Sequence, residues 1–169
     1  MPVLTPPRIK NINGPLVFLA GPIQGGPNWQ QEVILRIKSI DPTVNIASPR
    51  FIYPPETFDY YKQLDWETYY LKLASETGVI AFYLANQDPV NPGPATRPYA
   101  QTTRFELGEW VANHISSGGK IKIVIGIENG FSNARYIKYR ITTQAPKITI
   151  IKDDIDMFCY ETIELAANC

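Results

Sequence analysis

The side chain whose type and setting best suit chemistry is Glu106, within Tyr99-Ala-Gln-Thr-Thr-Arg-Phe-Glu-Leu-Gly-Glu-Trp110. This stretch follows a short apolar run, Gly78-Val-Ile-Ala-Phe-Tyr-Leu84, and a long connection rich in Pro and Asn. Phe105, Leu107, Trp110, Val111 and Ile115 then supply the apolar positions of a helix. A carboxylate in the first turn of a helix lies near the positive end of the helix dipole, which favours its ionised form by about 0.3–1 kcal/mol. Glu106 is therefore expected as a carboxylate at neutral pH unless burial overrides the dipole. A positioned carboxylate can act as a nucleophile or a general base. A second reading involves no chemistry. Thr103-x-x-Glu106 fits a capping box, in which the glutamate only reaches back to the N–H of the cap residue.

Other catalytic constellations are scarce. His114 is the single histidine, so Ser-His-Asp and Cys-His catalysis would both have to run through it, and classical zinc sites lack ligands. About two helical turns beyond Glu106, it is expected on a solvated helix face. Cys159 and Cys169 make no disulfide or metal framework. Chemistry thus falls to carboxylates, Tyr, Asn, Gln and backbone groups, and no metal or cofactor is expected.

The formal net charge is zero, which gives no electrostatic case for a nucleic-acid polymer or an anionic membrane as partner. No run approaches the roughly 18 apolar residues of a membrane span. The first residues, Met1 to Arg8, lack the basic and apolar regions of a signal peptide. With 169 residues, 44% of them apolar and 19% charged, the chain reads as one globular domain in the cytoplasm.

The elements that must position Glu106 alternate along the chain. Residues 1–14 read as an irregular leader and residues 15–169 as the single domain. Pro15 to Ala20 reads as a buried strand stopped by Gly21-Pro22. A helix is expected from Asn28 to Ile40, with Asn28 as its cap and Trp29, Val33, Ile34 and Ile37 inward. Val44 to Ala47 reads as a second strand, followed by a loop rich in Pro and aromatic residues. A helix from about Asp59 to Ser75 is expected to turn Leu64, Tyr70, Leu71 and Ala74 inward. Gly78 to Leu84 is the third strand, and the long connection 85–101 suits a lid or binding loop. Gly118-Gly119 ends the Glu106 helix. A strand from Lys120 to Ile127, a helix from Ser132 to Thr143, a strand from Ile148 to Ile151 and a terminal helix capped by Asp153 or Asp154 complete the chain.

Strands that are continuous apolar runs, alternating five times with helices, call for a parallel sheet covered on both faces. Ligands of such sheets bind outside the carboxyl ends of the strands. The Gly21 to Pro27 loop and the start of the Glu106 helix both lie there, and are expected to meet in one cleft. The loop itself is neither a dinucleotide fingerprint nor a Walker loop. As a bare Gly/Pro segment it is more often a tight turn than a ligand cradle, and its position at the first strand of an α/β sheet brings the two readings level.

Three motifs occur in order. Leu19-Ala-Gly-Pro-Ile23 with Trp29, Trp66-Glu-x-x-Tyr-Leu-x-x-Ala74 leading into Gly78 to Tyr83, and Thr103-Arg-Phe-Glu-Leu-Gly108-x-Trp110 together resemble the nucleoside 2-deoxyribosyltransferase-like superfamily, over roughly residues 16–127. The resemblance implies a flavodoxin-like doubly wound α/β sheet of about five parallel strands with helices on both faces. It implies Glu106 as the nucleophile that breaks an N-glycosidic bond, in the retaining logic of two displacements at one carbon. The 2′-deoxyribosyl group then passes from Glu106 to a second nucleobase, or to water.

Residue by residue, Glu67 matches an acidic residue that helps orient sugar and base, and Asp65 is a neighbouring candidate. The alternative for Glu67 is an exposed helix position paired with Lys62 or Lys72. Gly21, Pro22 and Ile23 should contact the nucleobase, with Ile23 or Gln24 nearest it. Asn129, Ser132 and Asn133 match a region that contributes 5′-hydroxyl or phosphate contacts, often across a subunit interface, so a homo-oligomer is expected. A plain turn and cap is the alternative there. Tyr99, Tyr53 and Arg50 are further cleft candidates without a firm match. The chain departs from the superfamily six and five residues before the nucleophile. Acidic residues there give way to Ala100 and Gln101, and Gln101 can hydrogen-bond a base or hydroxyl but cannot take a proton. The rival readings are an N-hydrolase of a 2′-deoxynucleoside 5′-monophosphate and a non-catalytic nucleotide-binding module.

Overall fold

A computed structural model of the chain describes residues 3–51 and 58–168. Six parallel strands form one sheet, and their spatial order departs from their chain order. The strands are β1 (Val3–Leu4), β2 (Leu16–Ala20), β3 (Asn45–Ala47), β4 (Val79–Leu84), β5 (Lys122–Ile127) and β6 (Thr149–Lys152), lying side by side as β1-β3-β2-β4-β5-β6. The helices are α1 (Trp29–Ile40), α2 (Tyr60–Thr77), α3 (Gln101–Ser116), α4 (Ala134–Gln144) and α5 (Ile155–Ala167). This is a doubly wound, flavodoxin-like α/β fold.

Why the strands read as unbroken apolar runs is plain from the packing. Leu16, Phe18, Ile80, Phe82, Leu84, Ile123 and Ile125 face α2, α3 and α4, where Trp66, Tyr70, Leu71, Leu107 and Ile141 meet them. Their sequence neighbours Val17, Leu19, Val79, Ala81, Tyr83 and Val124 face α1 and α5, against Trp29, Val33, Ile37, Phe158 and Ile163. Successive strand side chains point to opposite faces, so a strand covered on both sides has no polar position to spare. The sheet has one strand more than expected. Residues 3 and 4 of the supposed leader pair in parallel with Ile46 and Ala47 and cover the edge of β3.

The helix starts follow their caps. Asn28 accepts a hydrogen bond from the Gln31 N–H at 3.4 Å. Asp59 accepts from Tyr61 and Lys62, both at 3.1 Å. Asp154 caps α5 through the Met157 N–H at 2.8 Å. Asp153 instead takes a left-handed backbone conformation and receives Asn129 on its carboxylate.

The helix carrying Glu106 differs from expectation. It begins at Gln101 behind a left-handed Ala100, with no side-chain cap, so Thr103 lies inside the first turn and there is no capping box. Glu106 is the sixth residue and belongs to the second turn, where the dipole acts weakly. The buried stripe is Thr103, Leu107 and His114, with Trp110 and Val111 beside it, while Phe105 is 76% exposed and Ile115 45%. His114 is therefore not on a solvated face. Its Nδ1 lies 2.6 Å from the Ile121 carbonyl oxygen, where the chain folds back after Gly118-Gly119. On α2, Leu64 is 38% exposed, and Trp66, fully buried, takes the inward place expected of Leu64.

Among the described residues, no helix is long and apolar enough to cross a membrane.

Candidate active site

Chain order reverses around β2: the strand that follows it in sequence lies on one side and the next lies on the other. Loops leaving the carboxyl ends of β2 and β4 diverge there, and a crevice opens between them. A cavity of about 600 Å³ occupies this place. Gly21, Pro22, Ile23 and Gln24 form one wall, Glu67 and the start of α2 another, and Ala100 to Thr103 with Glu106 a third. The two loops expected to share one cleft do share it.

The base of the first wall is set by close packing. A Cβ on Gly21 would stand 2.4 Å from the Tyr83 carbonyl oxygen and 2.6 Å from the Trp29 ring. Trp29 donates its indole N–H to the Pro22 carbonyl at 2.9 Å. From outside the cavity lining, Arg50 Nη2 donates to the carbonyls of Ile23 (2.8 Å), Gly26 (3.3 Å) and Pro27 (2.9 Å). One guanidinium thus gathers the loop that carries Ile23 and Gln24.

The connection 85–100 lies against that loop. The Asp88 N–H donates to the Gly25 carbonyl at 2.8 Å. Gly25, in the left-handed region at φ 73°, would place a Cβ 2.3 Å from the Pro92 carbonyl oxygen. Arg97 Nη1 donates to Gln24 Oε1 at 3.0 Å and Nη2 to Thr102 Oγ1 at 3.3 Å. Tyr99, on the rim, donates its hydroxyl to the carbonyls of Ala85 (2.8 Å) and Asn86 (3.0 Å). The long connection is an ordered wall of the cavity.

Among the described residues, two carboxyl groups line this space, and both are harder to ionise than usual. Glu106 is pushed up to about 7, first by burial and then by the negative charges of Glu67 and Glu109. Burial thus overrides the helix dipole at Glu106. Glu67 is also raised by burial, against a 2.8 Å hydrogen bond from Gln63 Nε2. Glu67 is not paired with a lysine, and Lys62 pairs with Asp59 at 3.5 Å. A carboxylate short of solvation and beside a like charge is more basic than an ordinary one, which suits it to trap or neutralise a cationic centre.

Other expected residues lie elsewhere. Asp65 is exposed and off the cavity lining. Asn129 and Asn133 follow β5 and also stand outside it. Asn129 gives its backbone N–H (3.0 Å) and side-chain amide (2.7 Å) to the Asp153 carboxylate. Asn133 takes a left-handed conformation just ahead of α4, without a side-chain cap bond. Ser132 is held by Arg104 Nη2, through its carbonyl at 2.9 Å and its hydroxyl at 2.7 Å. The Arg104 guanidinium also stacks over Phe131 at 4.6 Å. These residues form a polar patch beside α3. Tyr53 falls outside the described residues.

Sequence reasoning did not single out Arg97 or the apolar side Phe51, Phe58, Tyr60 and Leu64, all of which line the cavity. Leu64 was legible as an apolar helix residue, but spacing alone could not tell a core-facing leucine from a cavity-facing one. No group of three or more His, Cys, Asp or Glu side chains suited to a metal occurs among the described residues. Neither a protein-family model nor a curated protein sequence matches the chain.

Proposed function

We propose that this protein breaks the N-glycosidic bond of a 2′-deoxynucleoside and transfers the deoxyribosyl group through a covalent bond to Glu106. The observation that carries this reading is one cavity holding Glu106, Glu67 and the Gly21–Gln24 loop. A carboxylate raised to about 7 is a stronger nucleophile than an ordinary one, and the charge it carries is eased as the sugar turns cationic.

In the first displacement a Glu106 oxygen attacks C1′ on the face opposite the base. The C1′–N bond breaks, its electron pair stays on the base nitrogen, and that nitrogen takes a proton from water. Glu67 adds negative charge beside the developing cation and orients the sugar. Gln101 offers an amide hydrogen bond to the base where the superfamily has a carboxyl. In the second displacement a nitrogen of another base attacks C1′ and gives its proton to the hydroxide left by the first step, and Glu106 leaves as the carboxylate. Water in place of the base gives hydrolysis. No step draws on a metal or cofactor.

The protein is further proposed to assemble with copies of itself, a reading supported by Phe105, Ile115, Tyr136 and Tyr139 standing exposed on α3 and α4. Light scattering tests it.

Incubation with a 2′-deoxynucleoside, with and without a second free base, tests the function. A new deoxynucleoside only in the tube with both supports transfer, and free base in both tubes supports hydrolysis. If neither forms, and 5′-monophosphates also survive, the catalytic reading is wrong and a nucleotide-binding module takes its place.

A further inference from the structure

Three polar side chains meet at one corner of the cavity. Gln24, Arg97 and Thr102 all line it. Arg97 binds Gln24 Oε1 at 3.0 Å and Thr102 Oγ1 at 3.3 Å. A guanidinium has five N–H donors and no acceptor, so it can hold only the oxygen end of the Gln24 carboxamide. The Nε2 end, with two N–H groups, is therefore turned away from Arg97, while Arg97 retains N–H groups beyond the two it spends here. Gln24 is also carried on a loop whose backbone is tied on both sides, by Arg50 on the Ile23 carbonyl and by Asp88 on the Gly25 carbonyl. The amide cannot reverse its ends without breaking the bond to Arg97.

We infer that this corner reads the exocyclic group of the nucleobase and selects oxo bases over amino bases. The inference rests on the nucleoside reading above. A 6-oxopurine such as hypoxanthine or guanine offers O6 and N7, two acceptors side by side, whereas adenine offers one acceptor and an amino donor. Uracil and thymine differ from cytosine in the same sense at C4. An amino group set against Gln24 Nε2 and Arg97 meets N–H with N–H and leaves both unpaired. Gln24 and Arg97 are both exposed, so water relieves part of the mismatch. The expected preference is modest, about three- to tenfold.

The test compares kcat/KM for 2′-deoxyinosine and 2′-deoxyadenosine in the wild-type protein, Arg97→Ala and Gln24→Glu. The wild type should favour deoxyinosine about three- to tenfold. Arg97→Ala frees the amide to present either end, and the ratio should fall to near unity. Gln24→Glu presents only acceptors, and deoxyadenosine should become the better substrate. A wild-type ratio near one, a preference for deoxyadenosine, or a preference that Arg97→Ala leaves intact would each overturn the inference while the catalytic reading stands. If a 5′-phosphate improves both substrates and Arg97→Ala cancels that gain alone, the corner is a phosphate site and the inference fails. If no nucleoside is turned over, the catalytic reading fails and titration with free hypoxanthine and adenine decides the corner. Tighter hypoxanthine binding that is lost in Arg97→Ala upholds it, and equal binding in the wild type rejects it.

Discussion

Glu67 and Glu106 line the same cavity from two different helices, and the charge of Glu67 adds to the burial that lifts Glu106 to about 7. If Glu106 attacks as the carboxylate, kcat/KM must fall as pH drops below about 7, rather than near the ordinary value of 4.5. Glu67→Gln removes the second cause and leaves the first, so the limb should move towards acid by part of that interval. A pH profile of both proteins checks this. A limb that stays in place in Glu67→Gln would show that the two carboxyls do not interact.

Replacing the nucleophile should separate activity from folding. Glu106→Gln should lower turnover by more than about a thousandfold. Its stability should respond in the opposite sense. Because the folded protein raises this carboxyl above its unfolded value, wild-type stability declines as pH rises from about 4.5 to about 7 and is then level. Glu106→Gln lacks that decline, so above pH 7 it should be the more stable protein by about 2 kcal/mol. Below pH 4.5 the two should coincide. Thermal unfolding at pH 4 and pH 8 measures the difference, and a Glu106→Gln protein with full turnover would falsify the mechanism.

Arg50 gathers three carbonyls of the Ile23–Pro27 loop without lining the cavity itself. Arg50→Ala removes its bonds to those oxygens, leaving Ile23 with only the long 3.5 Å bond from the Gly26 N–H, and should cost about 1–3 kcal/mol of stability. It should raise KM more than it lowers kcat, since the loop presents the base and the nucleophile sits on α3. Steady-state kinetics distinguishes the two, and a fall in kcat at constant KM would reject the positioning role.

Gly21→Ala should be worse than its size suggests. The added methyl would need room held by the Tyr83 carbonyl oxygen at 2.4 Å and the Trp29 ring at 2.6 Å. The loop must shift, with an expected loss of about 1–3 kcal/mol and weakened nucleoside binding. Unfolding midpoints and KM values report both.

The sheet was legible because Leu16–Ala20, Val79–Leu84 and Lys122–Ile127 are buried on both faces and could carry almost no polar residue. Asn28 and Asp59 announced their helices because a cap is a local interaction. The facing of α3 was misread for the opposite reason. Its inner stripe includes Thr103 and His114, while the large apolar Phe105 and Ile115 point outward. Residues after Gly119 return to cover His114, which no spacing within the helix encodes. The cavity shows the same division. Gly21 and Glu106 stood out by motif, but Arg97 acts through a residue far away in sequence, Gln24, and its role exists only once the two loops meet.

The close approach of Gly25 to the 85–100 connection makes the two loops a single interlocked unit. A side chain at residue 25 would strike the Pro92 carbonyl, and a different path for 88–93 would abandon the Gly25 carbonyl that Asp88 satisfies. Anyone recasting this cavity for another substrate must therefore transplant Gly21–Pro27 and 85–100 together. Exchanging one segment alone would damage the wall before it altered the choice of ligand.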